Sequence, residues 1–188
     1  MSAIQTIRNR RSSPKLTNPA PTSEQLNQIL ESALCAPDHG RLQPWRFLVV
    51  EGDARIALGD LYLKAALVDS PDLSEQRQQR FKAMPLRAPV VVIVATRPVE
   101  GHKVPVQEQV IATGAAVQNM LLAAEQLGCG AMWRTGEMAY NPIVKTGLGL
   151  DQSDEIIAYL YLGTAVVDPS PRVPEPLENH CEKWDGTG

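Results

Sequence analysis

The sequence predicts a single domain of mixed α/β or α+β class, spanning residues 1–188. Four strand-like segments alternate with segments of helical periodicity, and no internal repeat divides the chain. A length of 188 residues, 44% of them hydrophobic, allows one substantial core but is short for two domains.

Helices are predicted from capping signals and apolar periodicity. A short helix is expected over residues 3–9, and Thr22-Ser23-Glu24-Gln25 fits a capping box for a second helix that ends before Pro37. Further helices are expected at residues 53–66, 74–84, 106–127 and 142–146. The helix at 106–127 has small residues through its middle, which suit either close packing on the core or a helix-on-helix dimer interface.

Strands are predicted where β-branched and aromatic residues cluster, at residues 46–51, 89–96, 131–134 and 155–162. The segment 89–96 is nearly all β-branched, which indicates a buried strand. Residues 164–188 contain Pro169, Pro171, Pro174 and Pro176, so an extended tail is expected there.

Composition argues against several classes of partner. A formal net charge of -3 gives no general attraction to nucleic acid or anionic lipid. The longest apolar run, residues 90–95, is far short of the roughly 20 residues that cross a bilayer, and the N-terminus has no apolar signal core. We therefore expect a cytoplasmic protein with no membrane or nucleic-acid partner. Cys35, Cys129 and Cys181 are odd in number and widely spaced, which predicts reduced thiols.

Common catalytic motifs are absent from the sequence. The dinucleotide pattern G-x-G-x-x-G fails at residues 128–133 and 147–152, and neither G-x-x-x-x-G-K-[ST] nor G-x-S-x-G occurs. His39, His102 and His180 lie far apart without metal-ligand spacing, so no metal site is predicted. An enzyme of this composition would take its chemistry from an organic cofactor.

Two short segments indicate which kind of cofactor. Arg10-Arg11-Ser12 supplies two guanidinium groups and a hydroxyl at the end of a short helix, a combination that suits a phosphate but also fits a solvated helix end. Gln43-Pro44-Trp45 adds polar groups and a large aromatic ring. Together they suit an anionic, aromatic cofactor.

Three motifs in order resemble the nitroreductase family of flavoproteins. They are R-R-S near residue 10, A-P-x-x-x-x-x-Q-P-W-x-F about 25 residues later, and G-x-x-W-R-T-G before a final Y-L-G-T. The chain is most similar to the short subgroup of small NAD(P)H nitroreductases. The resemblance implies an α+β fold with a central, mainly antiparallel sheet flanked by helices. It also implies an intertwined homodimer with FMN in each cleft between subunits, and a C-terminal segment, residues 164–188, that crosses onto the partner.

The resemblance also implies site residues. The implied FMN contacts are Arg10, Arg11, Ser12, Cys35, His39, Gln43, Trp133, Arg134 and Thr135, with Cys35 and His39 reaching the cofactor of the neighbouring subunit. The implied NAD(P) contacts are Ala123, Ala124, Glu125, Gln126, Leu127 and Gly128. Purely structural interpretations of the same residues stay open. Cys35 and Trp133 also fit packing residues, His39 fits a surface histidine, and residues 123–128 fit an ordinary helix end.

One position departs from the family pattern. Many larger members have an asparagine beside the flavin where this chain has Arg41, which could contact an anion or face solvent. Discrimination of NADPH from NADH normally depends on a cation near the 2′-phosphate. Arg41, Arg46 and Lys103 are candidates, and the sequence does not rank them.

The activity that the resemblance implies is hydride transfer from NADPH or NADH through flavin N5 to a small oxidised acceptor such as a nitroaromatic or a quinone. The kinetics would be ping-pong, and no side chain need act as acid or base. The alternatives are another flavin reaction (dehydrogenation, dehalogenation, or enone or aldehyde reduction), a flavin storage or delivery module, and an interaction domain without flavin.

Overall fold

The structure is a computed structural model that describes residues 2–167 and 173–186. The parts of the predicted tail at residues 168–172 and 187–188 therefore lie outside the described residues. The helices are α1 (Ala3–Asn9), α2 (Ser23–Ala33), α3 (Ala54–Asp69), α4 (Glu75–Ala83), α5 (Val106–Gln126) and α6 (Pro142–Gly147). The strands are β1 (Leu16–Thr17), β2 (Trp45–Glu51), β3 (Val90–Thr96), β4 (Gly130–Arg134) and β5 (Glu155–Ala165). Short 3-10 turns occur at His39–Arg41, Met84–Arg87, Glu137–Ala139 and Leu177–Asn179.

The strands form one antiparallel sheet. β2 pairs with β3, β3 pairs with β5, and both β4 and β1 pair with the other edge of β5. The register between β3 and β5 shifts by one residue between Val94 and Ala95, where Ile157 of β5 forms a bulge. The predicted α+β class, with an antiparallel sheet flanked by helices, is confirmed.

Helices cover both faces of the sheet. Val91, Ile93 and Ala95 of β3 pack in one core with α3, α4 and α6, whereas Val90, Val92 and Val94 pack in a second core with α2 and α5. Because successive side chains of a strand point to opposite faces, a strand covered on both sides must be apolar at every position. This explains the β-branched run that predicted a buried strand.

The structure extends the C-terminal ends of two predicted elements by three residues each and adds a strand. α3 continues to Asp69, and β5 continues to Ala165, three residues beyond its predicted end. The added strand is β1, in which Leu16 pairs with Ala165 and Thr17 with Thr164. A two-residue strand has too few positions to show an alternating pattern, so β1 could not be predicted from periodicity.

The small residues of α5 are divided between two environments. Ala112 and Ala116 are buried on the sheet side, whereas nothing lies within 4 Å of the Cβ position of Gly114, and Ile111 is 63% exposed. One face of α5 therefore belongs to the core and the other is uncovered in the single chain. In the part of the chain that the structure describes, no helix is long and apolar enough to cross a membrane.

Candidate functional site

A cavity of about 430 Å³ lies on the α3 and α4 side of the sheet, a volume within the range of small-molecule sites. The last residues of β4 and the turn that follows line one wall, Met132 to Met138, and the opposing wall includes Met84. Trp133, Arg134 and Thr135, three of the implied FMN contacts, are among these residues. The remaining lining residues are Tyr62, Arg80, Arg87, Tyr159 and Tyr161.

Three tyrosines form the aromatic part of this cavity. The rings of Tyr62 and Tyr159 meet edge to face with their centroids 5.6 Å apart, and the Tyr159 hydroxyl donates to the Met138 carbonyl oxygen at 3.0 Å. Burial raises the pKa of both phenols above the ordinary value, and the neighbouring Tyr159 raises the pKa of Tyr62 further. Both groups are therefore neutral at physiological pH.

Three arginines give the cavity a local positive charge. Arg80, Arg87 and Arg134 line it, against a single carboxylate, Glu137. The Arg134 guanidinium carbon lies 6.0 Å from the centroid of the Tyr161 ring. Burial raises the pKa of Tyr161, while the charges of Arg87 and Arg134 lower it, so both guanidinium groups act on this phenol. A chain with a net charge of -3 thus contains a cavity suited to an anionic aromatic ligand.

Arg10-Arg11-Ser12 follows α1 and runs towards β4. The amide of the next residue, Ser13, donates to the Ala131 carbonyl oxygen at 2.8 Å, which fixes the segment beside the start of β4. Nη1 of Arg10 is buried and has no hydrogen-bond partner among the described residues. A buried, unpartnered guanidinium nitrogen costs free energy unless an anion binds it. The segment therefore fits a phosphate group, which would give Nη1 of Arg10 a hydrogen-bond partner.

The other two residues of this segment have different environments. The Arg11 guanidinium donates to the carbonyl oxygens of Arg8 and Arg10 at 2.6 and 2.9 Å, so it also stabilises the end of α1. Ser12 is exposed and leaves its hydroxyl accessible to a ligand. Phosphate contacts by both residues stay predictions.

Cys35, His39 and Gln43 do not line the cavity. All three are exposed, in the connection between α2 and β2, and Gln43 lines a different cleft of about 280 Å³. Strands β2 and β4 are separated by β3 and β5, which places them roughly 14 Å apart at about 4.8 Å per strand. The single chain therefore divides the implied FMN contacts into three groups. Trp133, Arg134 and Thr135 line the cavity, whereas Arg10, Arg11 and Ser12 lie beside the start of β4 outside its lining, and Cys35, His39 and Gln43 lie in the connection between α2 and β2.

Trp133 has a structural role in addition to its place at the cavity. Its indole Nε1–H donates to the Ile157 carbonyl oxygen at 2.9 Å, and its side chain packs against the core formed with α2 and α5. It is half-buried, and it also borders the cavity.

Residues 123–128, the implied NAD(P) contacts, form the end of α5. Ala124 is fully buried, the Gln126 side chain accepts a hydrogen bond from the Thr6 hydroxyl at 3.0 Å, and the Leu127 carbonyl oxygen accepts one from Gln25 at 3.2 Å. Gly128, with a φ of 72°, ends the helix. These contacts join α5 to α1 and α2, and NAD(P) binding here stays a prediction.

The chain also has a second groove, separate from the cavity. The groove, of about 330 Å³, lies between α1, α2 and α5 and includes Ala123 and Gln126. Across residues 2–167 and 173–186, no three His, Cys, Asp or Glu side chains lie close enough to hold a metal ion. Cys35, Cys129 and Cys181 are unpaired.

Sequence reasoning missed most of the cavity wall. Tyr159 and Tyr161 alternate along β5, so a period of two could have placed them on one face. Tyr62 and Arg80 come from α3 and α4, and Arg87 from the turn before β3. Only the packing of those helices against the sheet shows that these three residues converge.

Comparisons with known proteins agree with this architecture. The sequence model of the nitroreductase family matches residues 7–164. The Escherichia coli K12 protein named "Putative NAD(P)H nitroreductase YdjA" is 38% identical over 178 residues, which cover 94% of this chain and 96% of that protein. A Haemophilus influenzae protein named "Putative NAD(P)H nitroreductase" is 36% identical over 186 residues, covering 98% of this chain and 96% of that protein.

Solved structures show the same fold. A nitroreductase-like family protein from Bacillus cereus superposes with a TM-score of 0.85 at 26% identity, covering 99% of this chain and 97% of that one. A Desulfovibrio desulfuricans protein, described as "a putative nitroreductase in complex with fmn", superposes with a TM-score of 0.77 at 27% identity, covering 98% and 97% of the two chains. With the family match over most of its length and these relatives in sequence and structure, the chain belongs to the nitroreductase family.

Proposed function

We propose that the protein is an FMN-dependent oxidoreductase that takes electrons from NADPH or NADH and reduces a small oxidised acceptor such as a nitroaromatic or a quinone. The observation that carries this proposal is the cavity lined by three arginines, Arg134 among them, by three tyrosines and by Thr135. The names of the two bacterial relatives and the FMN complex of the Desulfovibrio protein support the choice of donor and cofactor.

Arg10 and Ser12 hold the phosphate of FMN in this proposal. The buried Nη1 of Arg10 supplies a charge-assisted donor without a partner in the chain, and the exposed Ser12 hydroxyl supplies another donor. The bond between Ser13 and Ala131 keeps both residues beside β4, whose other end reaches the cavity. One phosphate group and one aromatic system can therefore be bound along the same strand.

The cavity holds the ring system. When bound, FMN supplies hydride and electron transfer, so the chain need not provide an acid or a base. Arg80, Arg87 and Arg134 favour any form of the ligand that carries negative charge. The buried tyrosines offer neutral hydroxyl groups and apolar faces, since their raised pKa values keep them protonated. The protein thus contributes binding, orientation and a positive electrostatic environment.

Two copies of the chain build each site in this proposal. The separation of β2 from β4 supports this, because one chain alone leaves Cys35, His39 and Gln43 far from Arg134. Large apolar side chains are exposed in the single chain and are available for contacts with a second copy, among them Ile7, Ile111 and Trp184. The described tail residues, 173–186, are exposed throughout, which suits a segment that crosses onto a partner.

The spectrum of the purified protein, supplied with FMN, tests the proposal. We expect bound flavin whose visible absorption bleaches within seconds of anaerobic NADPH or NADH and returns when a quinone or nitroaromatic is added. Protein that binds no FMN would contradict the proposal. Bound flavin that neither nicotinamide reduces would favour a storage or delivery module.

A further inference from the structure

We propose that the hydroxyl group of Tyr62 donates a hydrogen bond to the flavin ring, which makes Tyr62 a ring-binding residue of the cavity. This inference rests on the proposed function, because that function places the ring in the cavity. Tyr62 lies on α3 and lines the cavity beside Tyr159 of β5. None of the sequence motifs that resemble the family contains this residue.

The Tyr62 hydroxyl is buried without a hydrogen-bond partner. The residue is 2% exposed, and its hydroxyl oxygen bonds to none of the described residues. A hydroxyl group that leaves water without gaining a partner costs free energy, so a native structure rarely keeps one without a use. Phenylalanine would fill the same space without that cost, since the edge-to-face contact with Tyr159 involves only the rings. Packing therefore explains the ring of Tyr62 but not its hydroxyl.

Tyr62 differs in this respect from its neighbour Tyr159. The Tyr159 hydroxyl donates to the Met138 carbonyl oxygen at 3.0 Å, so its hydrogen is already used within the chain. That bond holds the turn after β4 against β5, which is a structural role. Among the described residues that line the cavity, only Tyr62 has a buried polar side-chain atom without a partner.

The hydroxyl end of Tyr62 lies near the other two phenols of the cavity. Burial raises the pKa of Tyr62, and the phenols of Tyr159 and Tyr161 raise it further. The interaction between ionised phenols weakens with distance, so the Tyr62 hydroxyl belongs to the same cluster as the other two, all of which line the cavity. The raised pKa also keeps the group protonated at physiological pH, so it has a hydrogen to donate.

The packing of α3 holds Tyr62 in a fixed position. One turn before Tyr62, Gly59 lies directly against the backbone of Lys82 on α4, with no room for a Cβ atom. At the last residue of the helix, the Asp69 carboxylate accepts a hydrogen bond from the Asn141 side chain at 2.8 Å. The helix is therefore anchored to α4 and to the start of α6. A donor that is in place before the ligand binds loses little conformational freedom on binding.

The cavity combines an exposed cationic rim with a buried neutral floor. Arg80 and Arg87 are exposed and form the rim, whereas Tyr62, Tyr159 and Met138 are buried and form the floor. A planar ring can place its apolar faces against the floor while its polar edge reaches donors at a few positions. The flavin ring has carbonyl oxygens and nitrogens that accept hydrogen bonds. A single buried donor on the floor suits one of these atoms.

The test compares Tyr62→Phe with the unmodified protein and with two other tyrosine variants. Tyr140→Phe is the matched control, because Tyr140 is 76% exposed, lies outside the cavity lining and loses the same hydroxyl group. Tyr159→Phe is the structural contrast, because it removes the bond to Met138. Each apoprotein is titrated with FMN and with riboflavin, binding is followed by quenching of flavin fluorescence, and the thermal midpoint of the apoprotein is measured in parallel.

We expect Tyr62→Phe to weaken the binding of FMN and of riboflavin equally, by roughly three- to tenfold. Its apoprotein should unfold at an unchanged or higher temperature, because the substitution removes an unpaired buried hydroxyl, whereas Tyr159→Phe should lower the thermal midpoint. Affinities within twofold of the Tyr140→Phe control, a loss confined to FMN, or a lower thermal midpoint of the Tyr62→Phe apoprotein would overturn the inference and leave the proposed function standing. An unmodified protein that binds neither flavin would overturn the proposed function and this inference together.

Discussion

Replacing Arg10 by alanine tests the proposed phosphate contact. Nη1 of Arg10 is buried and has no partner among the described residues. A hydrogen bond to phosphate would therefore be the only hydrogen bond that this nitrogen makes. A hydrogen bond to a charged group contributes about 1.5–3 kcal/mol, which corresponds to a roughly 10- to 150-fold weaker FMN affinity in Arg10→Ala. Riboflavin has the same ring system without the phosphate, so its affinity should not change.

The assay is quenching of flavin fluorescence on titration with apoprotein, performed with FMN and with riboflavin. Arg8→Ala is the control, because Arg8 is an exposed residue in the last turn of α1, and its backbone carbonyl, not its side chain, accepts the bond from Arg11. Removing an unpaired buried donor should leave the thermal midpoint of the apoprotein unchanged or higher. Unaltered FMN affinity, or an equal loss of riboflavin affinity, would refute the phosphate role of Arg10.

Three further predictions concern the cavity and the sheet. Arg87→Gln removes one cation from the cavity, so the reduction potential of bound FMN should become more negative by roughly 10–30 mV. A reduction potential that stays constant or rises would contradict the electrostatic role of Arg87. In the folded protein the pKa values of three tyrosines are raised, those of Tyr62, Tyr159 and Tyr161. Above about pH 10 these tyrosines ionise in the unfolded chain before they ionise in the folded protein, so the folded state loses stability as the pH rises further, whereas below that pH its stability is unaffected by them. Ultraviolet titration of tyrosinate should therefore show fewer ionised tyrosines in folded than in guanidinium-unfolded protein at the same alkaline pH, and equal numbers would argue against burial. Gly163→Ala brings a Cβ atom to 2.7 Å from a proline carbon, so the substitution should lower the free energy of unfolding by about 1–3 kcal/mol. Gly114→Ala places its Cβ atom in open space and should not lower the free energy of unfolding of the monomer. Urea unfolding measures both variants.

Local sequence patterns were sufficient to predict the main elements of the fold. The apolar run of β3 and the capping box before α2 are signals contained in a few consecutive residues, and both elements occur where they were expected. β1 was missed because it is two residues long and pairs with the end of β5, nearly 150 residues away in the chain. Such a contact leaves no periodicity in the sequence.

The candidate site could be predicted only in part for the same reason. Arg134 and Thr135 belong to a contiguous motif and do line the cavity. Tyr62 and Arg87 reach it from separate elements, so nothing in their own neighbourhoods marks them. The sequence also contained no information on which cations have structural partners, which the contact between Arg46 and Gly149 supplies.

Sharing of each site between two copies of the chain is tested most directly with tagged heterodimers. One copy carries Arg10→Ala, and the other carries Cys35→Asp and His39→Asp, which place carboxylates at two exposed positions implied to contact the partner's cofactor. In the heterodimer one site then carries all the substitutions and the other carries none. The FMN content is measured near the concentration that just saturates the unmodified protein.

We expect the heterodimer to bind one FMN per two chains, while each variant homodimer binds little or none at that concentration. A heterodimer that binds no more FMN than the variant homodimers would contradict a shared site. A chain that stays monomeric while it binds FMN stoichiometrically would contradict it as well.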